Sequence, residues 1–355
     1  MDITQARLKN QHLLGSASTN AVEAVRHLGA VQSQDFAAAK WSLGQRVANA
    51  TDDTIEETFN KGEILRTHVL RPTWHFILPE DIRWMLHLTA PQVKKAMATY
   101  DRKLELDDRL YTKTTAIIRE ALEKADFITR QEIKVLLDDA RITTDVQRLA
   151  HIVMRAELDG VICSGPRRGK QFTYALLDAR APKTHLLNRE EACITLAKRY
   201  FLSHGPAQLK DFAWWSGLPL KEATQAVSKL TSELQTYIVE GRTFYGGELT
   251  DDPTIEHSAQ LLSIFDEYTI AYNDRADLSS GNDIERMIQM GNALTAVVIL
   301  DGKVVGTWKR KLQKSSVIVD ISLFREITGQ GKTIIRAAAD KYGDFLKLRL
   351  EITGI

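Results

Sequence analysis

Cysteine is nearly missing from this sequence. Its 355 residues contain two, Cys163 and Cys193, which give no disulfide framework and no metal-ligand spacing. Such scarcity in a chain this long fits a reducing compartment. No apolar run approaches the roughly 18 residues that a membrane span needs. The opening Met1-Asp2-Ile3-Thr4-Gln5 is polar and acidic, unlike a secretory signal. The expected location is therefore cytoplasmic. No two histidines stand at metal-ligand spacing on a helix, and no dinucleotide-type glycine motif occurs. No metal and no cofactor is expected. Gly329-Gln330-Gly331-Lys332-Thr333 imitates the end of a phosphate loop, but Glu326 stands where its first glycine belongs. That stretch is read instead as the start of a last helix.

What is present is an ordinary globular composition, 44% apolar and 26% charged, on a chain long enough for two to four domains. The net charge of +1 hides a strong asymmetry. Residues 161–210 hold nine Lys/Arg against three Asp/Glu, while residues 251–285 hold one Arg against nine Asp/Glu. A segment at +6 beside another at −8 suggests one face for an anion and another that repels it. The plainer alternative is chance clustering of solvated side chains.

Apolar spacing predicts helices over 3–14 and 21–28, the second capped near Thr19-Asn20, and another that opens at Asp35. Residues 64–70 and 73–78 read as short strands around Arg71-Pro72, followed by a helix from Pro79. A theme then occurs twice. Helices at about 129–138 and 144–159 precede strands 161–163 and 172–176. Helices from about 206 and to about 230 precede strands 235–239 and 243–245. Helix, turn, helix and hairpin repeated at about 80 residues reads as tandem winged helices. Beyond 250, Asp301-Gly302 between apolar runs signals a hairpin, a further strand covers 317–321, and a helix over 332–346 closes the chain. The expected fold class is α+β, mainly helical. Its expected parts are an N-terminal winged-helix-like domain (1–125), a second winged helix (126–187), a third (188–250) and a β-rich α+β domain (251–355).

Gln32-Ser33-Gln34-Asp35 is the first candidate for chemistry. In an extended stretch the two glutamines share a face, and each carboxamide offers an acceptor and two donors without charge. On composition alone these are equally the polar residues of a loop. Asp35 is an alternative base or, at a helix start, a structural cap. Arg71, Thr73 and His75 form a second cluster, with a histidine satisfied by a nearby carbonyl as the plain alternative. Arg167, Arg168 and Lys170 sit on a Gly/Pro-rich hairpin tip suited to gripping phosphates. Lys309, Arg310 and Lys311, with Lys314, make a smaller basic patch. Trp214-Trp215 invites a base-stacking role, but at helical spacing at least one is expected in the core.

Several stretches resemble one family in order along nearly the whole chain. Leu28-Gly29-Ala30-Val31-Gln32-Ser33-Gln34-Asp35 and Arg66-Thr67-His68-Val69-Leu70-Arg71-Pro72-Thr73-Trp74-His75 are similar to landmarks of the AlkZ-like (also called YcaQ-like) winged-helix DNA glycosylases. So are Gly205-Pro206 with Asp211-Phe212-Ala213-Trp214-Trp215-Ser216-Gly217-Leu218, Phe265-Asp266-Glu267-Tyr268 with Asp274-Arg275, and Val304-Val305-Gly306-Thr307-Trp308-Lys309-Arg310. The resemblance implies tandem winged helices around a DNA-sized concavity and excision of bulky alkylated purines, with crosslink unhooking in some members. It implies Gln32 and Gln34 as the catalytic pair; Asp35, His75, Arg71 and Thr73, read from the residues themselves, are the candidates for catalytic support. Ser33 departs from the aliphatic residue that the family motif carries between its polar positions. The implied partner is double-stranded DNA, alkylated, bound by a monomer with no membrane, in the cytoplasm or at the nucleoid. The rival reading is a non-catalytic DNA binder, and a third is a protein-interaction scaffold built from winged helices.

Overall fold

Local capping fixes where most elements begin. The computed structural model describes residues 2–15, 17–183, 187–249, 257–279, 283, 286 and 295–355. Asp2 accepts the amides of Thr4 and Gln5 at 2.9 and 3.2 Å and opens α1 (Ile3–Asn10). That helix stops four residues before the expected Leu14, because His12 turns to φ +56 and the Leu8 carbonyl takes the amides of Leu13 and Leu14. Asn20 caps α2 (Ala21–Leu28), and Asp35 caps α3 (Phe36–Gly44) through the Ala38 amide. Between them lies β1 (Val31–Gln32). Then come α4 (Asp52–Lys61), the antiparallel pair β2 (Leu65–His68) and β3 (Trp74–Ile77), α5 (Ile82–Lys103) and α6 (Asp108–Lys124). The helix expected at Pro79 begins three residues later, where Asp81 turns its carboxylate onto the Trp84 indole at 2.9 Å.

Next are β4 (Ile128–Thr129), α7 (Arg130–Asp139), α8 (Val146–Leu158), β5 (Ile162–Ser164), β6 (Thr173–Leu176) and α9 (Leu177–Arg180). Thr129 and Glu132 close a capping box on α7, satisfying two helix-start donors reciprocally. The three strands form one sheet in the order β4-β6-β5. After them come α10 (Arg189–His204), α11 (Leu209–Ser216), α12 (Leu220–Ser228), β7 (Gln235–Val239) and β8 (Arg242–Gly246). Here a two-way bridge between Ala207 and Tyr245 lays a third short segment beside the hairpin. Both stretches thus contain two successive helices, α7 and α8 or α11 and α12, followed by an antiparallel hairpin.

The last stretch contains β9 (Ala259–Leu262), α13 (Glu267–Ile270), β10 (Val297–Leu300), β11 (Lys303–Leu312), β12 (Ser316–Leu323), α14 (Gly329–Leu346) and β13 (Arg349–Thr353). Its five strands run β13-β12-β11-β10-β9. The Asp301-Gly302 turn has φ of +50 and +80, as a two-residue hairpin with both central residues left-handed requires. Thr328 caps α14 through the Gly331 amide at 3.1 Å, so the false phosphate loop is a helix start. α14 is also the crossover that lets β13 run parallel to β12. The acidic run 251–256, and most of 280–294 with its Leu294, lie outside the described residues.

The chain divides into two compact units. One holds Met1–Glu56, Ile194–Trp215 and Pro219–Ile355; the other holds Glu57–Cys193 and Ser216–Leu218. In the second, Ile118, Leu122, Ile133, Leu137, Ile152 and Ile162 belong to one buried cluster. In the first, Trp41 of α3 meets Tyr342 and Phe345 of α14 at 4.8 and 5.1 Å, and a Cβ on Gly44 would collide with the Phe345 ring. Tyr200, Phe201, Phe212 and Trp215 form a second, fully buried aromatic core.

A polar network also lies inside the first unit. Arg46 and Asp266, both fully buried, pair through two guanidinium nitrogens at 2.9 and 2.7 Å. Ser42 donates to the same carboxylate at 2.7 Å, and Arg46 also donates to Gln11 at 3.0 Å. Removing one partner of such a pair strands a charge in low dielectric. Arg46→Met is therefore expected to lower stability by about 3–5 kcal/mol. Arg46→Met with Asp266→Asn should regain much of that loss. Denaturant melts of the three proteins are the measurement, and a single-variant loss under about 1 kcal/mol would show that Asp266 does not depend on Arg46.

Candidate active site

The strand β1 ends at Gln32, and the chain bends through Ser33 and Gln34 into the Asp35 cap of α3. Alternation along a strand therefore governs Gln32 and Ser33 but does not extend to Gln34. Gln32 is 7% exposed, Ser33 is fully buried and Gln34 is exposed. The middle residue thus points inward, where an aliphatic side chain would also point. Asp35 is exposed, and its carboxylate accepts the Ala38 amide at 2.9 Å. Its structure is that of a helix cap.

A carboxylate sits behind this strand. Glu267 is fully buried, and its Oε1 accepts the Gln32 amide at 2.7 Å. Its Oε2 accepts the Trp215 indole N–H at 2.9 Å. The adjacent Asp266 holds α3 through Ser42 and Arg46. Consecutive residues of one short turn therefore brace the chain on both sides of Ser33-Gln34-Asp35. Sequence reasoning quoted Asp266-Glu267 without giving either residue a task. Two adjacent acids ahead of an aromatic, the first capping its own short helix through the Tyr268 amide, are the local trace, since Gln32, Ser42, Arg46 and Trp215 lie more than 50 positions away. Trp215 is fully buried while Trp214 is 39% exposed, so one indole of the pair is core.

His75, Arg71 and Thr73 belong to the second unit. His75 is fully buried in β3 opposite Thr67, and its Nδ1 donates to the Thr73 carbonyl at 2.9 Å. Because a carbonyl oxygen only accepts, that bond requires a proton on Nδ1. The segment before it is tight. The Arg71 amide donates to the Val69 carbonyl and the Thr73 amide to the Arg71 carbonyl, each at 2.7 Å. These are consecutive three-residue turns, with Leu70 held at φ +64. Gly217, at φ +70, leans on that turn, and a Cβ there would overlap the Leu70 carbonyl oxygen. Only glycine combines that φ with that approach.

The hairpin-tip cations are partly engaged. Arg167 donates to the Lys170 carbonyl at 2.8 Å and lies 5.1 Å over the Phe172 ring. Arg168 pairs with Glu132 at 2.8 Å and donates to the Phe127 carbonyl at 3.1 Å, yet its side chain stays 55% exposed. Lys170 is exposed. On β11 the pleat separates neighbours: Arg310 bonds the Tyr342 hydroxyl, while Lys309 and Lys311 stand on the opposite face. The patch read as three adjacent cations is two cations on one face and one on the other. Lys314 is exposed in the turn that follows.

Burial pushes the Cys163 thiol up to about 12, which removes it as a nucleophile near neutral pH. Among the described residues no helix is long and apolar enough to cross a membrane. No group of three or more His, Cys, Asp or Glu there is placed to hold a metal ion.

The chain is similar to known proteins over most of its length. It is 24% identical over 319 residues to the interstrand DNA cross-link repair glycosylase of Streptomyces sahachiroi, covering 85% of each chain. The solved structure of Streptomyces sahachiroi DNA glycosylase AlkZ superposes with a TM-score of 0.79 at 21% identity, over 99% of this chain and 98% of that one. That superposition establishes a shared fold. The profile of the family described as DNA glycosylase AlkZ-like matches residues 25–345, which span the Gln32–Gln34 bend, the Glu267 turn and four strands of the five-stranded sheet, β9 to β12. The chain belongs to the AlkZ-like family and is a DNA glycosylase.

Proposed function

We propose that this glycosylase hydrolyses the N-glycosidic bond of bulky N-alkylated purines in duplex DNA, with Gln32 and Gln34 as its catalytic pair. The observation that carries the reading is the Gln32-Ser33-Gln34 bend, which offers two uncharged carboxamides while the neighbouring Asp35 is occupied as a cap. A purine alkylated at N7 or N3 is cationic and leaves as a neutral base, so no strong general acid is needed. The protein must place a water behind the sugar and stabilise positive charge growing on its anomeric carbon. Carboxamide oxygens do both by dipole alone. The water forms the new C–O bond, the glycosidic electron pair leaves with the purine, and the water's proton passes to solvent. No lysine adduct is invoked, so the enzyme is monofunctional. Arg71, Thr73 and His75 are assigned to supporting contacts with the lesion strand.

The two helix–helix–hairpin stretches are assigned as winged helices, 126–187 and 188–250, between a winged-helix-like segment over 1–125 and the β-rich segment 251–355. Arg167, Arg168 and Lys170 would grip phosphates from the first hairpin. Lys309 and Lys311, which share a face of β11, would add contacts from that strand, while Arg310 is held on the other face by Tyr342. The protein would act as a monomer, associated with the nucleoid when bound to DNA. The cross-link repair named for the Streptomyces relative makes interstrand crosslinks a second substrate to test.

Single-turnover excision from an N7-alkylguanine duplex, read as strand breaks after alkali, tests the pair. Gln34→Ala is expected to slow excision by about 10²-fold, as loss of one preorganised dipole does. Gln32→Ala should also be slowed. Asp35→Asn should stay near wild type, because asparagine caps a helix equally well. Loss of excision in Asp35→Asn alone would transfer the role to the carboxylate. No excision by wild type across several adducts would return the chain to the non-catalytic reading. A crosslinked duplex in the same assay separates into single strands on denaturing gels if unhooking occurs.

Salt titrations test the grip. Each phosphate contact removed should reduce the slope of log affinity against log salt by about 1. Arg167→Ala with Arg168→Ala should weaken binding to two unrelated duplexes alike. Glu132→Gln, which keeps the capping box but removes the anion beside Arg168, should strengthen it. Unchanged affinity and slope in the double variant would place the phosphate contacts elsewhere.

A further inference from the structure

The fully buried Glu267 lies outside the pair just described and has no solvent role. Its two oxygens are divided between two donors from distant parts of the first unit: the Gln32 amide on Oε1 at 2.7 Å and the Trp215 indole on Oε2 at 2.9 Å. His204, also fully buried, faces Oε2 through Nε2 at 3.5 Å. The other ring nitrogen is committed. The Ser203 hydroxyl gives its one hydrogen to the Arg199 carbonyl at 2.7 Å, so its oxygen accepts from His204 Nδ1–H at 2.8 Å. Tyr200 stacks on the His204 ring at 4.9 Å and donates to the Ala271 carbonyl at 2.8 Å. The carboxylate is thus set in a rigid aromatic wall.

We propose that Glu267 is the positioning residue of this glycosylase, fixing the height at which the two glutamine carboxamides meet the sugar. The proposal rests on the reading of Gln32 and Gln34 given above. A strand of two residues has little ladder of its own to resist sliding. The bond from Glu267 ties its last backbone amide, immediately before the bend, to the fully buried Trp215 indole. Asp266 ties the following helix through Ser42 and Arg46. The bend between them is held at both ends by one turn of chain. A shift of about 1 Å in such a site costs on the order of 10²-fold in rate.

The test uses the stereochemistry of an amide. Glu267→Gln has one oxygen for two N–H donors. Either its NH2 group meets the Trp215 indole N–H, or it meets the Gln32 amide. Trp215→Phe removes one donor, so Glu267→Gln with Trp215→Phe satisfies the Gln32 amide again and offers its NH2 to His204 Nε2. The full-length proteins are compared by single-turnover excision, affinity for unmodified duplex, melting temperature, and hydrogen exchange of a peptide spanning residues 30–35. Glu267→Gln is expected to slow excision about 10- to 100-fold, to leave duplex affinity within about twofold, and to speed exchange in 30–35. The double variant is expected to recover at least about tenfold of that rate and the slow exchange. Where Glu267→Gln melts below the assay temperature, Trp215→Phe carries the test. It removes the indole donor that anchors Glu267, so slower excision with faster exchange in 30–35 supports the assignment, and wild-type excision with wild-type exchange overturns it. Wild-type excision by Glu267→Gln beside an inactive Gln34→Ala overturns the positioning role and leaves the pair standing. A double variant as slow as Glu267→Gln makes Glu267 a packing element only. Wild-type excision by Gln34→Ala overturns the pair, and the role of Glu267 with it.

Discussion

Two buried carboxylates, Asp266 and Glu267, are the constraint on which the first unit depends. Neither is exposed at all, and an isolated ionised carboxylate away from water is strongly unfavourable. The structure meets that demand by bringing four remote positions to one place, beside the local Tyr268 amide on Asp266. Gln32 and Trp215 donate to Glu267, and Ser42 and Arg46 donate to Asp266. A fold in which α3, α11 and the turn at α13 stood apart would leave Asp266 with the Tyr268 amide in place of its cation and take the Trp215 indole from Glu267. Apolar contacts pack around the same point but do not select it so sharply. Trp41 and Trp308 each send an indole N–H to a carbonyl of β9, at 2.7 and 2.8 Å, which seats α3 and β11 against the same edge strand.

Much of the secondary structure is legible in the sequence because its causes are local. Asp2, Asn20, Asp35 and Thr129 are caps by residue type and position, and each one caps. The Asp301-Gly302 hairpin and the start of α14 at Thr328 follow from backbone chemistry within four residues. The misplaced boundaries also have local causes, read with the wrong weight: His12 accepts a left-handed conformation, and Asp81 spends its carboxylate on Trp84. The basic run at Lys309 is another such case, since the two-residue period of a strand already divides three consecutive cations between two faces.

What the sequence conceals is pairing across distance. The five-stranded sheet contains a parallel strand, β13, that only the α14 crossover makes possible, and five residues after the closing helix carry no sign of it. Helix α1 packs Leu8 among Leu262, Tyr268, Val297 and Val304, a contact that no periodicity near residue 8 encodes. Glu267 is the sharpest example. Its bond to Gln32 spans 235 positions, so an acid in an acidic region reads as solvated surface until the fold is known. The candidate glutamines were legible through resemblance, whereas the residue that aims Gln32 was not.

The neutrality of the Gln32–Gln34 bend also bears on selectivity. An unmodified purine leaves as an anion unless it is protonated, and a carboxamide supplies no proton. An N-alkylated purine already carries the positive charge that protonation would provide. The first must therefore overcome a barrier that preorganised dipoles lower only in part, by about 3–4 kcal/mol for one donor in the best-measured cases. The second begins much nearer its transition state, where the same stabilisation is enough to matter. A carboxylate at Asp35 free to activate water would raise the rate on every substrate and blur that distinction. In the proposed mechanism Asp35 acts as a helix cap, with its Oδ1 accepting the Ala38 amide, and not as that base. On the proposed reading, discrimination between damaged and undamaged DNA does not require a pocket that recognises each adduct. It follows from pairing a weak catalyst with a leaving group that is already activated, and from holding that weak catalyst in a fixed position with a buried anion on its far side.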